Sequence, residues 1–260
     1  MNVVVCVKQI PDPSAPQSLD AQHHLDRSGK LILDEADTYG VEVALRLVEA
    51  ADSGEVSLVS MGDASEVTGI RSALAMGAMR ATVVSDPQLR GADALTTAKV
   101  LAAVISREEP DLILCATESS DGYTGTLPVQ LAQLLDWPAL TFATRVDVEG
   151  DNVVVYRQTE SGYDEVAAPM PAVVTVTAGV VQPRYATFKG IMAAKSRPLS
   201  VLSLADLGLD AAQLDSRQDI VSVESAPTRS AGEKYVDDGE GANRIVEFLE
   251  RIKIVSGSGS

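Results

Sequence analysis

The chain has little of what most catalytic or framework chemistry requires. Its two cysteines, Cys6 and Cys115, lie in apolar runs far apart in sequence, which fits neither a disulfide framework nor a zinc spacing and predicts buried thiols. Its two histidines are the neighbours His23 and His24 in a polar stretch. Adjacent residues of extended chain face opposite ways, so the pair is a poor chelate and reads as part of a solvated loop. An enzyme needs a nucleophile with its base, a metal cluster, or a paired acid and base, and the sequence points to none of these. Walker phosphate loops, dinucleotide Gly-x-Gly-x-x-Gly fingerprints and Gly-x-Ser-x-Gly elbows are absent from its strand-to-helix junctions.

Positive charge is also short. Against 37 acidic residues stand 21 lysines and arginines, a net charge of −16, with a sequence pI near 4.5. Such a chain repels phosphodiester backbones and anionic headgroups, which argues against nucleic-acid binding or a membrane-surface role. No apolar run is long enough to cross a bilayer, so no direct membrane insertion is expected. The N-terminus opens in a strand-like stretch without a signal or transit pattern, which reads as cytoplasmic or already processed.

What is present is a core. Hydrophobic residues make up 45% of 260, enough for one substantial domain. Apolar runs at Asn2 to Lys8, Val56 to Met61, Arg80 to Ser85 and Asp111 to Thr117 read as strands. They alternate with helical patterns over Thr38 to Ala51, Ser65 to Met76 and Ala92 to Arg107. Strands of this length alternating with helices indicate βαβ units, a parallel sheet, and ligand loops at strand C-terminal ends. From Ala139 the pattern changes: Leu140 to Val148 and Val153 to Gln158 alternate in polarity around Glu149 to Asn152, Ala172 to Thr177 forms a further strand, and antiparallel pairing is expected there. The fold class is therefore α/β, a mostly parallel sheet flanked by helices with antiparallel additions. Beyond Val181 regular alternation stops until a helical pattern over Ala242 to Ile252, as in an extended arm that embraces something else. The expected division is a core over 1–182, an arm over 183–255, and an appended expression linker over Ser256 to Ser260.

Two segments carry candidate sites. The loop Thr117-Glu118-Ser119-Ser120-Asp121-Gly122-Tyr123-Thr124-Gly125-Thr126 follows a strand and precedes a helix. Small residues there let the backbone approach a phosphate, with helix amides facing it and Thr124 or Thr126 adding a hydroxyl. The same loop also reads as an ordinary capped helix start, because Glu118 and Asp121 bring negative charge to it. The second segment, Pro183 to Lys195, gathers Phe188, Ile191 and Met192 with cations, which suits a docking surface. A short amphipathic helix folded back on the core, with Arg184, Lys189 and Lys195 solvated, fits it equally. Trp137, between Asp136 and Pro138 at a helix end, is read as packing.

Taken in order, Val7-Lys8-Gln9-Ile10-Pro11-Asp12-Pro13, Ala73-Leu74-Ala75-Met76-Gly77-Ala78, Leu135-Asp136-Trp137-Pro138 and Pro171-Ala172-Val173-Val174-Thr175 resemble the beta-subunit family of electron transfer flavoproteins. The resemblance continues through Pro183 to Lys195, Asp206-Leu207-Gly208 and Ala231-Gly232-Glu233-Lys234. It implies an adenine nucleotide alpha hydrolase-like fold and a heterodimer whose alpha subunit holds most contacts to flavin adenine dinucleotide (FAD). The beta subunit buttresses the flavin and buries adenosine monophosphate (AMP), without catalytic residues of its own. By position, the family's nucleotide pocket falls on Cys6, Asp34, Val59, Ser60, Met61 and the loop Ala116, Thr117, Glu118, Asp121, Gly122, Thr124, Gly125, Thr126 and Leu127. The commonest family loop has a basic residue, glutamine and a polar pair where Thr117, Glu118, Gly125 and Thr126 stand here, which leaves less compensation for a phosphate.

The second segment resembles the family's recognition loop, which inserts an apolar anchor into a dehydrogenase. Phe188 matches the anchor, Arg184 and Tyr185 shape the loop, Ile191 and Met192 flank it, and Lys195 begins Lys195-Ser196-Arg197 where relatives carry more lysines. The implied role is a shuttle from flavin dehydrogenases, such as the acyl-coenzyme A dehydrogenases of fatty acid β-oxidation, to a quinone oxidoreductase. Its rivals are a bifurcating carrier with a second FAD in the beta pocket, a nucleotide-free scaffold subunit, and an adenosine-nucleotide-consuming enzyme on a similar sheet.

Overall fold

The computed structural model describes residues 1–210, 212, 214, 218, 220–224 and 232–255. Ala231 and the tail Ser256 to Ser260 lie outside the described residues. The chain divides into two compact units, Met1–Val221 and Ser222–Ser260.

The first unit is built on one nine-stranded sheet. Its N-terminal half alternates β1 (Asn2–Cys6), α1 (Glu35–Ala51), β4 (Glu55–Met61), α2 (Thr68–Met76), β5 (Arg80–Val84), α3 (Ala94–Ile105), β6 (Leu112–Ala116) and α4 (Leu127–Leu135). A small antiparallel pair, β2 (Gln9–Pro11) with β3 (Leu31–Leu33), lies between β1 and α1. There follow β7 (Ala139–Glu149), β8 (Asn152–Thr159), β9 (Gly162–Pro169), β10 (Ala172–Val176), α5 (Phe188–Ala194), β11 (Leu199–Leu202) and α6 (Leu204–Leu207). The strand order is β11-β5-β4-β1-β6-β10-β7-β8-β9. Pairing is parallel from β11 to β7 and antiparallel through β7-β8-β9.

The central parallel strands β1, β4, β5, β6 and β10 are covered on both faces, so their runs are predominantly apolar. Val3, Val5 and Val7 point into the core under α1 and α2, with Val41, Leu45, Ile70 and Leu74. Val4 and Cys6 point into the other core, under α3 and α4, with Val100, Leu101, Ile105 and Leu131. The chain builds outward from β1 through β4 to β5, then crosses to lay β6 on the other side of β1. β1 and β6 thus meet at the switch in strand order, the position at which open α/β sheets form ligand crevices at strand C-terminal ends.

Where expectation and structure differ, the causes are local. Helix α1 starts at Glu35, earlier than its apolar periodicity, because the Asp34 carboxylate accepts from the Ala36 amide and caps it. β9 escaped notice because Tyr163-Asp164-Glu165-Val166 is an exposed edge with little apolar alternation. β10 pairs parallel between β6 and β7 and does not join the antiparallel group. β11, inside the stretch read as irregular, forms the opposite edge beside β5.

In the second unit, α7 (Gly241–Arg251) is strongly amphipathic. Its apolar side chains Ile245, Val246 and Phe248 are exposed. No helix among the described residues is long and apolar enough to cross a membrane.

Candidate functional site

The crevice places most sequence-predicted pocket residues at one edge of the sheet. Cys6 ends β1, Val59, Ser60 and Met61 end β4, and Ala116 ends β6. Not all face a ligand. Val59 is fully buried in the core, and its carbonyl accepts from the Val7 amide at 3.0 Å. Thr117 spends its hydroxyl on the Val176 carbonyl at 3.1 Å.

Asp34 is a hub below the loop. Fully buried, it accepts from the Ser120 amide at 2.7 Å, the Ser120 hydroxyl at 2.9 Å and the Ala36 amide at 3.1 Å. It therefore ties the start of α1 to the loop after β6, 86 residues away. Asp121 is held by Lys8, whose Nζ donates at 2.6 Å, and by the Arg27 guanidinium. Burial works against its ionisation, but these two cations outweigh it and hold the Asp121 carboxyl below the usual carboxylate range. Lys8 also donates to the Ser119 hydroxyl at 3.2 Å. Asp37 behaves oppositely: burial pushes its carboxyl well above the usual range, although the Lys8 amide donates to it at 2.6 Å.

The outer loop is open. Gly122, Thr124, Gly125 and Thr126 are exposed. Gly125 has φ +65°, where a side chain is strained, and the position a Cβ would take lies 3.4 Å from a Glu118 carboxylate oxygen. Helix α4 begins after Thr126 with no side-chain cap, and Leu127 and Pro128 form its first turn. Its early amides are thus uncapped by a neighbouring side chain, an arrangement that favours an anion.

Lys8, Arg27 and Asp37 were not among the residues expected at the site, whereas Ser119 and Ser120 belong to the loop read as a candidate anion pocket. Lys8 carried a signal, because it stands immediately after β1 in a sheet whose ligand loops follow strand ends. Arg27 carried none, since it reaches Asp121 across 94 residues. The cysteines, distant in sequence, sit on adjacent strands at the crevice floor. A hydrogen bond with Cys6, reinforced by burial, raises the Cys115 thiol well above its ordinary pKa and keeps it protonated. Trp137 lies at the opposite end of the sheet, beside a cavity of about 770 Å³ also lined by Leu134, Leu135 and Met170.

The second candidate segment is a helix packed against α2, yet its outward face is bare. Tyr185 is 90% and Phe188 80% exposed, with Ile191 and Met192 about half exposed. Lys195 lies exposed at its end, whereas Arg184 turns inward to Glu42 and Glu49. One face of the helix folds back on the core and the other projects, and Arg184, expected to be solvated in the folded-back reading, is instead paired with Glu42 and Glu49 because the segment packs beside α1.

A family model described as the electron transfer flavoprotein domain matches residues 23–207, across the crevice loops and the projecting segment. The chain belongs to the electron transfer flavoprotein family. It is 36% identical over 264 residues to electron transfer flavoprotein subunit beta of Mycobacterium tuberculosis (strain ATCC 25618 / H37Rv), covering 98% of this chain and 99% of the relative. The Megasphaera elsdenii subunit beta is 34% identical over 270 residues, covering 98% and 100%. That of Mus musculus is 40% identical over 196 residues, covering 75% and 76%. Membership of the electron transfer flavoprotein family makes the chain part of an electron carrier associated with flavin, and the matched relatives are beta subunits.

Proposed function

We propose that this chain is the beta subunit of a heterodimeric carrier whose alpha subunit holds most of the contacts to FAD. The observation that carries the reading is the end-to-end match to beta subunits of electron transfer flavoproteins. The flavin supplies the redox chemistry when bound. This chain binds, orients and presents, and contributes no acid–base or covalent step.

In this reading the crevice at the ends of β1, β4 and β6 holds AMP. The residues fit such a group in three respects. The uncapped start of α4 and the open backbone from Gly122 to Thr126 suit a phosphate. Met61, partly exposed at the end of β4, offers an apolar edge to a base, whereas Cys6 is buried in the core. Lys8 and Arg27 neutralise Asp121, supplying from distant segments the compensation that the loop itself lacks. Glu118 opposes the phosphate and weakens its hold.

The projecting segment docks the electron donor. Phe188 is the anchor, Tyr185, Ile191 and Met192 surround it, and Lys195 lies at the rim. The donors are flavin dehydrogenases, including acyl-coenzyme A dehydrogenases of fatty acid β-oxidation, the acceptor is a quinone oxidoreductase, and the carrier works in the cytoplasm.

Denaturing the purified chain, alone and with its alpha subunit, and identifying the released nucleotides tests the pocket. AMP from the chain, with FAD appearing only alongside the partner, is the expected result. FAD from the isolated chain favours a bifurcating carrier, and no nucleotide at all favours a scaffold. Phe188→Ala tests docking: electron transfer from the dehydrogenase should slow while flavin stays bound, and unchanged kinetics would sink the assignment.

A further inference from the structure

Helix α5 has seven residues, too few to persist by itself in water. Its aromatic side chain, Phe188, is 80% exposed, and Ile191 and Met192 are only about half buried, so burial alone holds it weakly. The segment is nevertheless ordered, and the groups that hold it are polar, inward-facing and contributed largely by Arg71 of α2 and by Arg197, which follows the end of α5.

Arg71 of α2 donates from Nη1 to the Ala194 and Arg197 carbonyls, both at 2.7 Å, at the C-terminal end of α5. Arg197 returns the contact, donating from Nη1 to the Leu74 carbonyl at 2.6 Å and to the Ala78 carbonyl at the end of α2. A helix leaves its last carbonyls without intrahelical donors and its C-terminus partly negative, so each guanidinium satisfies both needs of the other helix. Between these contacts the two backbones touch. A Cβ on Gly190 would lie 2.3 Å from the Ala75 carbonyl oxygen, so any side chain there forces α5 off α2. At the other end Arg184 is fixed twice: its amide and Nε donate to Glu42 at 3.1 and 2.7 Å, and its Nη1 donates to Glu49 at 2.6 Å. Glu42 is itself buried and also accepts from Arg46 at 2.6 Å.

We propose that Arg71, Arg184, Gly190 and Arg197 are positioning residues that hold Tyr185 to Met192 as a preformed epitope, so that the electron donor meets an ordered surface without having to order it. The inference rests on the docking role proposed for this segment. None of the four residues is required to touch the partner. They act by meeting, within the fold, the ordering cost that a flexible loop would impose on association. Arg197 is accordingly withdrawn from the cationic run that follows the anchor, because its charge is committed to carbonyl oxygens of α2.

The test uses the heterodimer with wild-type chain, Arg71→Lys, Arg197→Ala, Gly190→Ala and Phe188→Ala, and an acyl-coenzyme A dehydrogenase that reduces the wild-type carrier. Amide hydrogen exchange over residues 187–194 and steady-state reduction kinetics are measured together. The positioning variants should exchange faster and raise KM for the carrier about five- to tenfold, as expected when a turn and several side chains must be ordered on docking, with kcat kept. Phe188→Ala should raise KM with exchange unchanged. If the positioning variants loosen the segment but leave KM alone, or fail to loosen it, the proposal is overturned while the effect of Phe188→Ala preserves the docking role. If Phe188→Ala itself leaves KM unchanged, the docking role fails and the proposal falls with it. Arg71→Lys keeps the charge but replaces the guanidinium whose Nη1 reaches both carbonyls with a shorter, more flexible ammonium, so a folded variant is available should Gly190→Ala not accumulate.

Discussion

The crevice loop and the projecting segment use the same residue types in opposite ways. In the loop after β6, the Asp121 carboxylate is paired with Lys8 and Arg27, and the Ser120 amide and hydroxyl are taken up by Asp34 from the start of α1. What remains open to a ligand there is backbone. In the segment around α5, polar groups are turned inward as clamps and apolar side chains are left outside. The candidate anion site and the candidate docking face thus follow one rule, that a polar group satisfied inside the fold is no longer available outside it.

The largest expected effect comes from breaking the hub beneath the loop. Asp34→Ala removes the cap of α1 and the two hydrogen bonds that this buried carboxylate accepts from Ser120, so unfolding in urea should show a loss of about 2–4 kcal/mol. A loss below roughly 1 kcal/mol, the cost of an ordinary cap alone, would separate the loop from the helix.

Two buried carboxyls, Asp37 beneath the loop and Glu42 beneath the segment, respond to pH with opposite sign. Asp37 is raised in the folded state, so its stabilising contribution is fully present below its unfolded value near 3.8 and is lost as pH rises through its higher folded value. Glu42, lowered in spite of burial by Arg184 and Arg46, contributes above its unfolded value near 4.5 and ceases to as pH falls through its lower folded value. Urea midpoints across pH should therefore fall less steeply on the alkaline side in Asp37→Asn, whereas Glu42→Gln should flatten the acid side. Coincident profiles for the wild type and either variant would remove that group from the account.

A smaller change sharpens the picture of α5. Thr187 caps the helix by accepting from the Gly190 amide at 3.0 Å. Thr187→Ala should cost about 1 kcal/mol in helix stability, visible as faster local hydrogen exchange with little shift in global unfolding. The smallest effect belongs to Glu118→Gln. This exposed residue should change stability by less than about 0.5 kcal/mol. It should tighten monophosphate binding a few-fold, corresponding to roughly 0.3–1 kcal/mol for one charge at a helix N-terminus. Equal affinity by calorimetry would place the phosphate elsewhere.

Much of this was legible in the sequence for identifiable reasons. Strands β1, β4, β5 and β6 are short β-branched runs, and their helices carry 3.6-residue periodicity, so the parallel half of the sheet could be read directly. β9 could not, because an exposed edge strand needs no apolar alternation. Thr117 to Thr126 stood out through their small residues at a strand-to-helix junction. The groups that neutralise the loop did not, since Arg27 reaches it from a segment with no regular pattern of its own.

By itself the sequence determined the fold class, the family, and the two segments that carry its candidate sites, because periodicity and motif order are properties of nearest neighbours along the chain. Only the tertiary structure decided which charges remain free. Whether Lys8 faces a ligand or Asp121, and whether Arg197 steers a partner or caps α2, depends on what the topology brings within 3 Å across about a hundred residues of chain. That pairing is set by strand order and helix packing, which no local pattern encodes.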